Sequence, residues 1–93
     1  MKIRFEEDFL FYLNEQVKYI SKDKPLAAKK FKKELLQVFL KDLKQPFHFK
    51  KSIYFDDENS RDYVFKGYVS VYEISIKQDL VSVFGFIKYK DSL

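Results

Sequence analysis

The sequence predicts an α+β fold in which a helical hairpin packs on one face of a mostly antiparallel sheet. Three observations lead to this class. Apolar residues recur at helical spacing from about residue 7 to residue 43. After Pro46 the spacing changes to that of strands, and turn residues divide the rest of the chain into short segments. The predicted order of elements is therefore β-α-α-β-β-β-β, beginning with an N-terminal strand.

The first two elements are a strand over residues 2–5 and a helix over residues 7–21. In the strand, Ile3 and Phe5 alternate with polar neighbours, which is the period of an extended chain. In the helix, apolar residues recur every three or four positions and define one buried face, formed by Phe9, Tyr12, Leu13, Val17 and Ile20.

A second helix is predicted over residues 25–43. Pro25 is tolerated in a first helical turn, and Asp23 before it is a residue type that caps helices. Its apolar positions continue the helical spacing, with Ala27 and Ala28 as small residues where the helices pack closely. About four residues separate the two helices, so they must fold back as an antiparallel hairpin. Gln45 and Pro46 end the second helix.

Four strands are predicted after Pro46. The first covers residues 51–55 and is followed by a polar, acidic loop at residues 56–60. Residues 61–65 and 68–76 form a hairpin around the turn Lys66-Gly67, where Gly67 is expected to adopt positive φ. Residues 80–89 have apolar side chains on both faces, which is typical of a strand in the middle of a sheet.

Composition limits the classes of protein that this chain can represent. Its 93 residues, with 46% hydrophobic and 34% charged, suit a single domain over residues 1–93. The sequence has no Cys, which excludes thiolate metal sites and cysteine nucleophiles. No stretch is apolar enough for a signal peptide or a membrane span, so we expect a cytoplasmic protein without membrane contact. We expect no cofactor and no metal.

Charge and aromatic content are compatible with partner binding, and also with a small domain that has an aromatic-rich core and no such partner. The net charge is +4, carried by 16 Lys and two Arg, which favours diffuse attraction to phosphates or to an acidic protein. Eleven Phe and seven Tyr exceed what a core of this size readily encloses, so some rings are expected at the surface. Exposed aromatic side chains are frequent anchors of protein interfaces.

The order of elements, together with several short motifs, resembles the RelE/ParE toxins from end to end. These motifs are Pro25-Leu-Ala-Ala28, the segment from Leu43 to Pro46, Arg61, Gly67-Tyr68 and Val71-Tyr72. The resemblance implies a toxin of a type II toxin-antitoxin system, also described as a plasmid stabilisation protein. Each motif also has a structural interpretation. Tyr68 and Tyr72 lie on one face of a strand, and Arg61 could form a salt bridge with the acidic loop.

The resemblance implies one of two activities. RelE toxins cleave messenger RNA in the ribosome, whereas ParE toxins block DNA gyrase and are not known as nucleases. Cleavage requires proton-transfer groups and cations that hold the phosphate. The corresponding regions of this chain contain Lys50 and Lys66, and a candidate catalytic set of Arg61, Lys51, Lys88, Tyr89 and Lys90. The terminal His of many nuclease relatives is missing, and the single His48 is interpreted as structural.

The incomplete catalytic set favours a ParE-like toxin that binds its target, with DNA gyrase suspected. One alternative is a RelE-like, ribosome-dependent mRNA endoribonuclease. A second alternative is an inactive domain that retains the fold. The resemblance also implies a cognate antitoxin, whose acidic tail with apolar anchors would suit the Lys-rich charge and the surplus aromatic residues. A toxin-antitoxin hetero-oligomer is a further possibility.

Overall fold

The computed structural model describes residues 1–88 and confirms the α+β class. Two helices follow the first strand, and three further strands complete the sheet. The elements are β1 (Lys2–Phe5), α1 (Glu7–Ser21), α2 (Pro25–Asp42), a 3-10 turn (Pro46–His48), β2 (Ser60–Phe65), β3 (Tyr68–Ser75) and β4 (Leu80–Lys88).

Strand β4 lies inside the sheet, between β1 and β3, as its apolar residues on both faces predict. The strand order is β1-β4-β3-β2. Strand β1 runs parallel to β4, with Lys2 opposite Leu80, and the other two pairs are antiparallel. The three C-terminal strands therefore form an antiparallel meander, and β2 and β1 are the two edges of the sheet.

The helical hairpin packs on the sheet through residues at three- and four-residue spacing. Phe9 and Leu13 are buried from α1, and Ala28, Phe31, Leu35 and Phe39 from α2. Two details of the prediction for α2 are wrong. Its N-cap is Lys24 without a side-chain capping bond, so Asp23 does not cap the helix, and Ala27 is exposed. Pro25 occupies the first turn as predicted, since its missing N–H is not needed there.

The β2–β3 turn confirms the predicted role of Gly67. Lys66 and Gly67 have φ of 48° and 84°, which matches the twist of a two-residue hairpin turn. Farther along β3 the register shifts between Val71 and Tyr72. Val71 is opposite Gly85 and Tyr72 is opposite Val83, so Phe84 is the additional residue of a β-bulge.

The predicted strand over residues 51–55 is reduced to a single bridge between Lys51 and Arg61. The main chain leaves the ladder because side chains take its hydrogen bonds. The N–H of Ile53 donates to Oδ2 of Asp62 at 3.0 Å, and the N–H of Tyr54 donates to Oγ of Ser52 at 3.1 Å. Local bonds of this type compete with strand pairing, so the segment forms an irregular loop.

The connection between α2 and β2 is attached to the sheet by two tyrosine hydroxyls. Tyr72 is fully buried and donates to the carbonyl oxygen of Pro46 at 2.6 Å. Tyr63 donates to Oδ2 of Asp42, at the end of α2, at 2.5 Å. Tyr68 and Tyr72 share one face of β3, as predicted. This face packs on the helices, and the Tyr68 ring lies 5.2 Å from that of Phe31.

The buried hydroxyl of Tyr72 provides a test of this attachment. We expect Tyr72→Phe to lower the free energy of unfolding by about 1–3 kcal/mol, because the carbonyl of Pro46 loses its buried donor. Tyr19→Phe is the matched control, since Tyr19 is 64% exposed. Urea denaturation measures both variants. Equal stability of the two would show that the Tyr72 bond does not hold the connection.

Candidate functional site

The structure brings two residues of the candidate catalytic set together. Lys51 and Arg61 are opposite each other in the isolated bridge beside the edge strand β2. The side-chain amine of Lys51 pairs with the carboxylate of Glu58 in the acidic loop. Its charge is therefore directed towards a carboxylate of its own chain.

Arg61 holds the connection between α2 and β2. Its Nη1 donates to the carbonyl oxygen of Phe49 at 2.9 Å, and its guanidinium carbon lies 5.6 Å from the centre of the Phe47 ring. Both distances fit a charge-assisted hydrogen bond and a cation–π contact. The salt bridge with the acidic loop, which was the structural alternative for Arg61, does not form among residues 1–88.

Lys88 lies away from Arg61. Lys88 is opposite Tyr68 at one end of β3, whereas Arg61 is opposite Tyr72, four residues along the same strand. At about 3.3 Å per residue, this places their main chains about 13 Å apart along the strand direction. The other two candidates, Tyr89 and Lys90, lie outside the described residues.

The remaining basic residues of the prediction have other contacts. Nζ of Lys66 lies 2.9 Å from Oε2 of Glu34, which links the β2–β3 turn to α2. This hydrogen bond lowers the pKa of Glu34 below its usual range. The main-chain carbonyl of Lys50 accepts the N–H of Asp62, and the His48 ring packs edge-on against Phe49 at 5.3 Å.

Two buried tyrosines have hydroxyls that resist ionisation. Burial raises the pKa of Tyr72, and burial together with the hydrogen bond to Asp42 raises the pKa of Tyr63. A phenolate that could accept a proton is thus disfavoured at both positions. Their hydroxyls serve as donors to the connection between α2 and β2.

Two exposed apolar surfaces remain available for partners. The first, the α1 surface, consists of Phe11, Tyr12 and Tyr19 on the solvent side of α1. The second, the loop surface, consists of Ile53, Tyr54, Phe55 and Val64. The loop surface borders an open groove of ≈ 380 Å³ next to β2. Sequence reasoning predicted exposed rings, but not their positions.

Tyr12 illustrates why those positions were missed. The helical spacing predicts Tyr12 on the buried face of the first helix, yet it is 54% exposed. Phe11, the neighbouring ring, packs edge-on against it with centroids 5.4 Å apart. Within a helix that carries aromatic residues on two sides, periodicity alone does not identify the buried side.

Comparison with known families identifies the class of this protein. The sequence matches, over residues 3–91, the family described as "ParE toxin of type II toxin-antitoxin system, parDE". The match includes all the described helices and nearly all of the sheet, so the chain belongs to the ParE toxin family. No curated protein matches this sequence.

Membership confirms the resemblance to the RelE/ParE toxins and defines a toxin of a type II toxin-antitoxin system. A cognate antitoxin is the partner that this family implies. Neither α1 nor α2 combines the length and the apolar character needed to cross a membrane. Among residues 1–88, no three His, Asp or Glu side chains come close enough together to hold a metal ion.

The environment of Arg61 predicts a structural role that can be measured. We expect Arg61→Lys to lower the free energy of unfolding by about 1–3 kcal/mol, because Lys lacks the planar fork that reaches Phe49 and covers Phe47. Arg4→Lys is the control, since Arg4 forms an exposed pair with Glu6. That control should change stability by less than about 1 kcal/mol. Urea denaturation that finds Arg61→Lys no less stable than Arg4→Lys would contradict the role.

The Glu34–Lys66 pair predicts that part of the stability of the folded protein is lost at low pH. The folded state holds the pKa of Glu34 below its unfolded value of about 4.3, so the unfolded state binds the proton more readily. The stabilisation is present at neutral pH and is lost as the pH falls from about 5. Glu34→Gln should therefore reduce the loss of stability on acidification, measured as the urea midpoint against pH. Lys66→Gln should give the same change. If the urea midpoint of both variants falls with pH as steeply as that of the parent, the pair does not contribute to the acid sensitivity.

Proposed function

We propose that this toxin inhibits bacterial growth by binding DNA gyrase and that a cognate antitoxin neutralises it. The observation that carries the binding mode is where three of the predicted nuclease residues lie. Lys51 pairs with Glu58, Arg61 binds the Phe49 carbonyl, and Lys88 lies at the other end of β3. These residues do not converge on one point where a phosphate and a 2′-hydroxyl could react.

The exposed surfaces support the same conclusion. A toxin that acts by binding needs apolar anchors at its surface more than it needs a catalytic cluster. The α1 surface and the loop surface supply aromatic rings on two separate elements. Aromatic side chains contribute large contact areas at low entropic cost, which suits both a target and an antitoxin.

We propose that the antitoxin tail lies along the helical hairpin, with apolar anchors on the α1 surface. Phe11 is 60% exposed and Tyr12 packs against it, so the two rings form one continuous apolar area on a helix. A segment that folds on binding commonly places an amphipathic helix against such a surface.

The growth phenotype tests the toxin activity and its neutralisation. Induction of this chain alone in a bacterial host should arrest growth, and co-expression of the adjacent small reading frame should restore it. Growth that continues without the neighbouring product would instead support an inactive domain with the same fold.

The target is tested with purified components. We expect the purified toxin to inhibit plasmid supercoiling by gyrase and to leave ribosome-bound messenger RNA intact. Primer extension on translating ribosomes provides the second measurement. Cleavage of the message, with supercoiling unaffected, would overturn the gyrase proposal and establish the RelE-like alternative.

The docking proposal has its own matched variants. The double variant Phe11→Ser/Tyr12→Ser should weaken antitoxin binding at least about tenfold, because each buried ring contributes 1 kcal/mol or more. The double variant Ile53→Ser/Tyr54→Ser removes similar area from the loop surface and should keep the parental affinity. Calorimetric titration that finds the opposite order would place the antitoxin on the loop surface.

A further inference from the structure

The positive charge of this protein is concentrated in α2 and its flanking residues. Residues 22–44 contain eight Lys and three acidic residues, which is a net charge of +5. The whole chain carries +4, so the remaining residues together carry −1. The excess charge thus belongs to one helix and the few residues on either side of it.

The exposed side of α2 forms a continuous basic face. Its members lie at three- and four-residue spacing, opposite the buried Phe31, Leu35 and Phe39. We define the basic face as Leu26, Lys29, Lys30, Lys33, Gln37, Leu40 and Lys41 in the helix, with Lys44 just beyond it. At 1.5 Å per residue, the 18 residues of α2 extend over about 27 Å.

The two acidic residues of α2 are engaged at the margins of this face. The carboxylate of Glu34 pairs with Lys66 at 2.9 Å and with Lys30 at 3.8 Å. Asp42 accepts the hydroxyl of Tyr63. Within residues 1–88, the side chains of Lys29, Lys33, Lys41 and Lys44 have no carboxylate partner.

The basic residues near the start of α2 also oppose the helix dipole, whereas Lys41 and Lys44 at its other end agree with it. Lys22 and Lys24 precede α2 with Asp23 between them, Lys29 follows its first turn, and the first turn contains no acidic residue. Cations near a helix N-terminus are destabilising. Sequences tend to violate such a local rule where a function requires it. A bound anion would remove this cost.

The apolar residues of the basic face favour a polyanion over an amphipathic peptide. Leu26 is 80% exposed and Leu40 is 57% exposed, but they are 14 residues, or about 21 Å, apart. The exposed positions between them on this face are Lys or Gln. A helical peptide needs anchors at every third or fourth position, and this face does not offer them.

We infer that the basic face of α2 binds the phosphate backbone of nucleic acid. Its cations are all Lys, which attract phosphates as point charges and lack the fork that reads base edges. Binding is therefore independent of sequence and sensitive to salt. This activity goes beyond inhibition of gyrase and does not require it.

Fluorescence anisotropy of labelled nucleic acid tests the inference with the full chain. The probes are a 20-base-pair duplex DNA and a 20-nucleotide single-stranded RNA, titrated between about 50 and 200 mM salt. The triple variant Lys29→Gln/Lys33→Gln/Lys44→Gln should bind about 10- to 100-fold more weakly at low salt. Its log–log salt slope on DNA should be shallower by about 2–3, since each phosphate contact contributes about 0.9. The probe that binds more tightly shows whether the basic face prefers DNA or RNA.

The matched control is Lys2→Gln/Lys18→Gln/Lys77→Gln, which removes the same charge from β1, α1 and the β3–β4 turn. The control should lose less than about threefold in affinity, and circular dichroism should find both variants folded. An equal loss in the control would overturn the inference, because net charge alone would then explain binding. No binding of either probe by the parent chain at about 100 μM and low salt would overturn it as well. A poly-glutamate peptide that binds more tightly than both probes would assign the face to an acidic protein.

Discussion

The Phe9 ring is the contact on which the arrangement of the layers depends. Its centroid lies 5.7 Å from that of Phe5 in β1, 5.8 Å from that of Phe39 in α2 and 5.8 Å from that of Phe86 in β4. Phe9 is fully buried, so α1 cannot shift without separating all three contacts. Because Phe5 and Phe86 are far apart in sequence, this cluster joins the N-terminal strand to the last strand through the hairpin. These contacts therefore fix the orientation of α1 against α2 and the sheet.

A second set of contacts determines which polar residues are available for function. The segment from the end of α2 to β2 has little regular structure, so its carbonyls need donors from elsewhere. Tyr72 supplies one to Pro46, and Arg61 supplies one to Phe49. The family resemblance offered Arg61 as a catalytic candidate, whereas its contacts place it in the support of this segment. Under the proposed binding mode, the exposed aromatic and basic side chains are the candidates for contact with partners.

The two helices, the central position of β4 and the β2–β3 turn could be predicted because each depends on local periodicity or on one turn residue such as Gly67. The loop at residues 51–55 could not, since its strand-like pattern was overridden by a carboxylate of β2, from Asp62. The candidate site was less predictable than the fold. Residue types indicated cations, but whether these cations converge depends on folded-state partners such as the Glu58 carboxylate for Lys51 and the Phe49 carbonyl for Arg61. Which of the 18 aromatic rings are exposed likewise depends on tertiary packing.

The charge pattern of the hairpin links its two proposed ligands. Residues 6–21, which include α1, carry a net charge of −3, whereas residues 22–44 carry +5. The two helices are antiparallel neighbours, joined where Lys32 of α2 donates to Asn14 of α1 at 2.7 Å. An antitoxin tail on the α1 surface would therefore lie on the helix next to α2, whose basic face attracts acidic groups over the ~8 Å screening length at physiological salt. If that tail is acidic, it repels a nucleic-acid backbone from the same hairpin, so neutralisation of the toxin would also release it from nucleic acid.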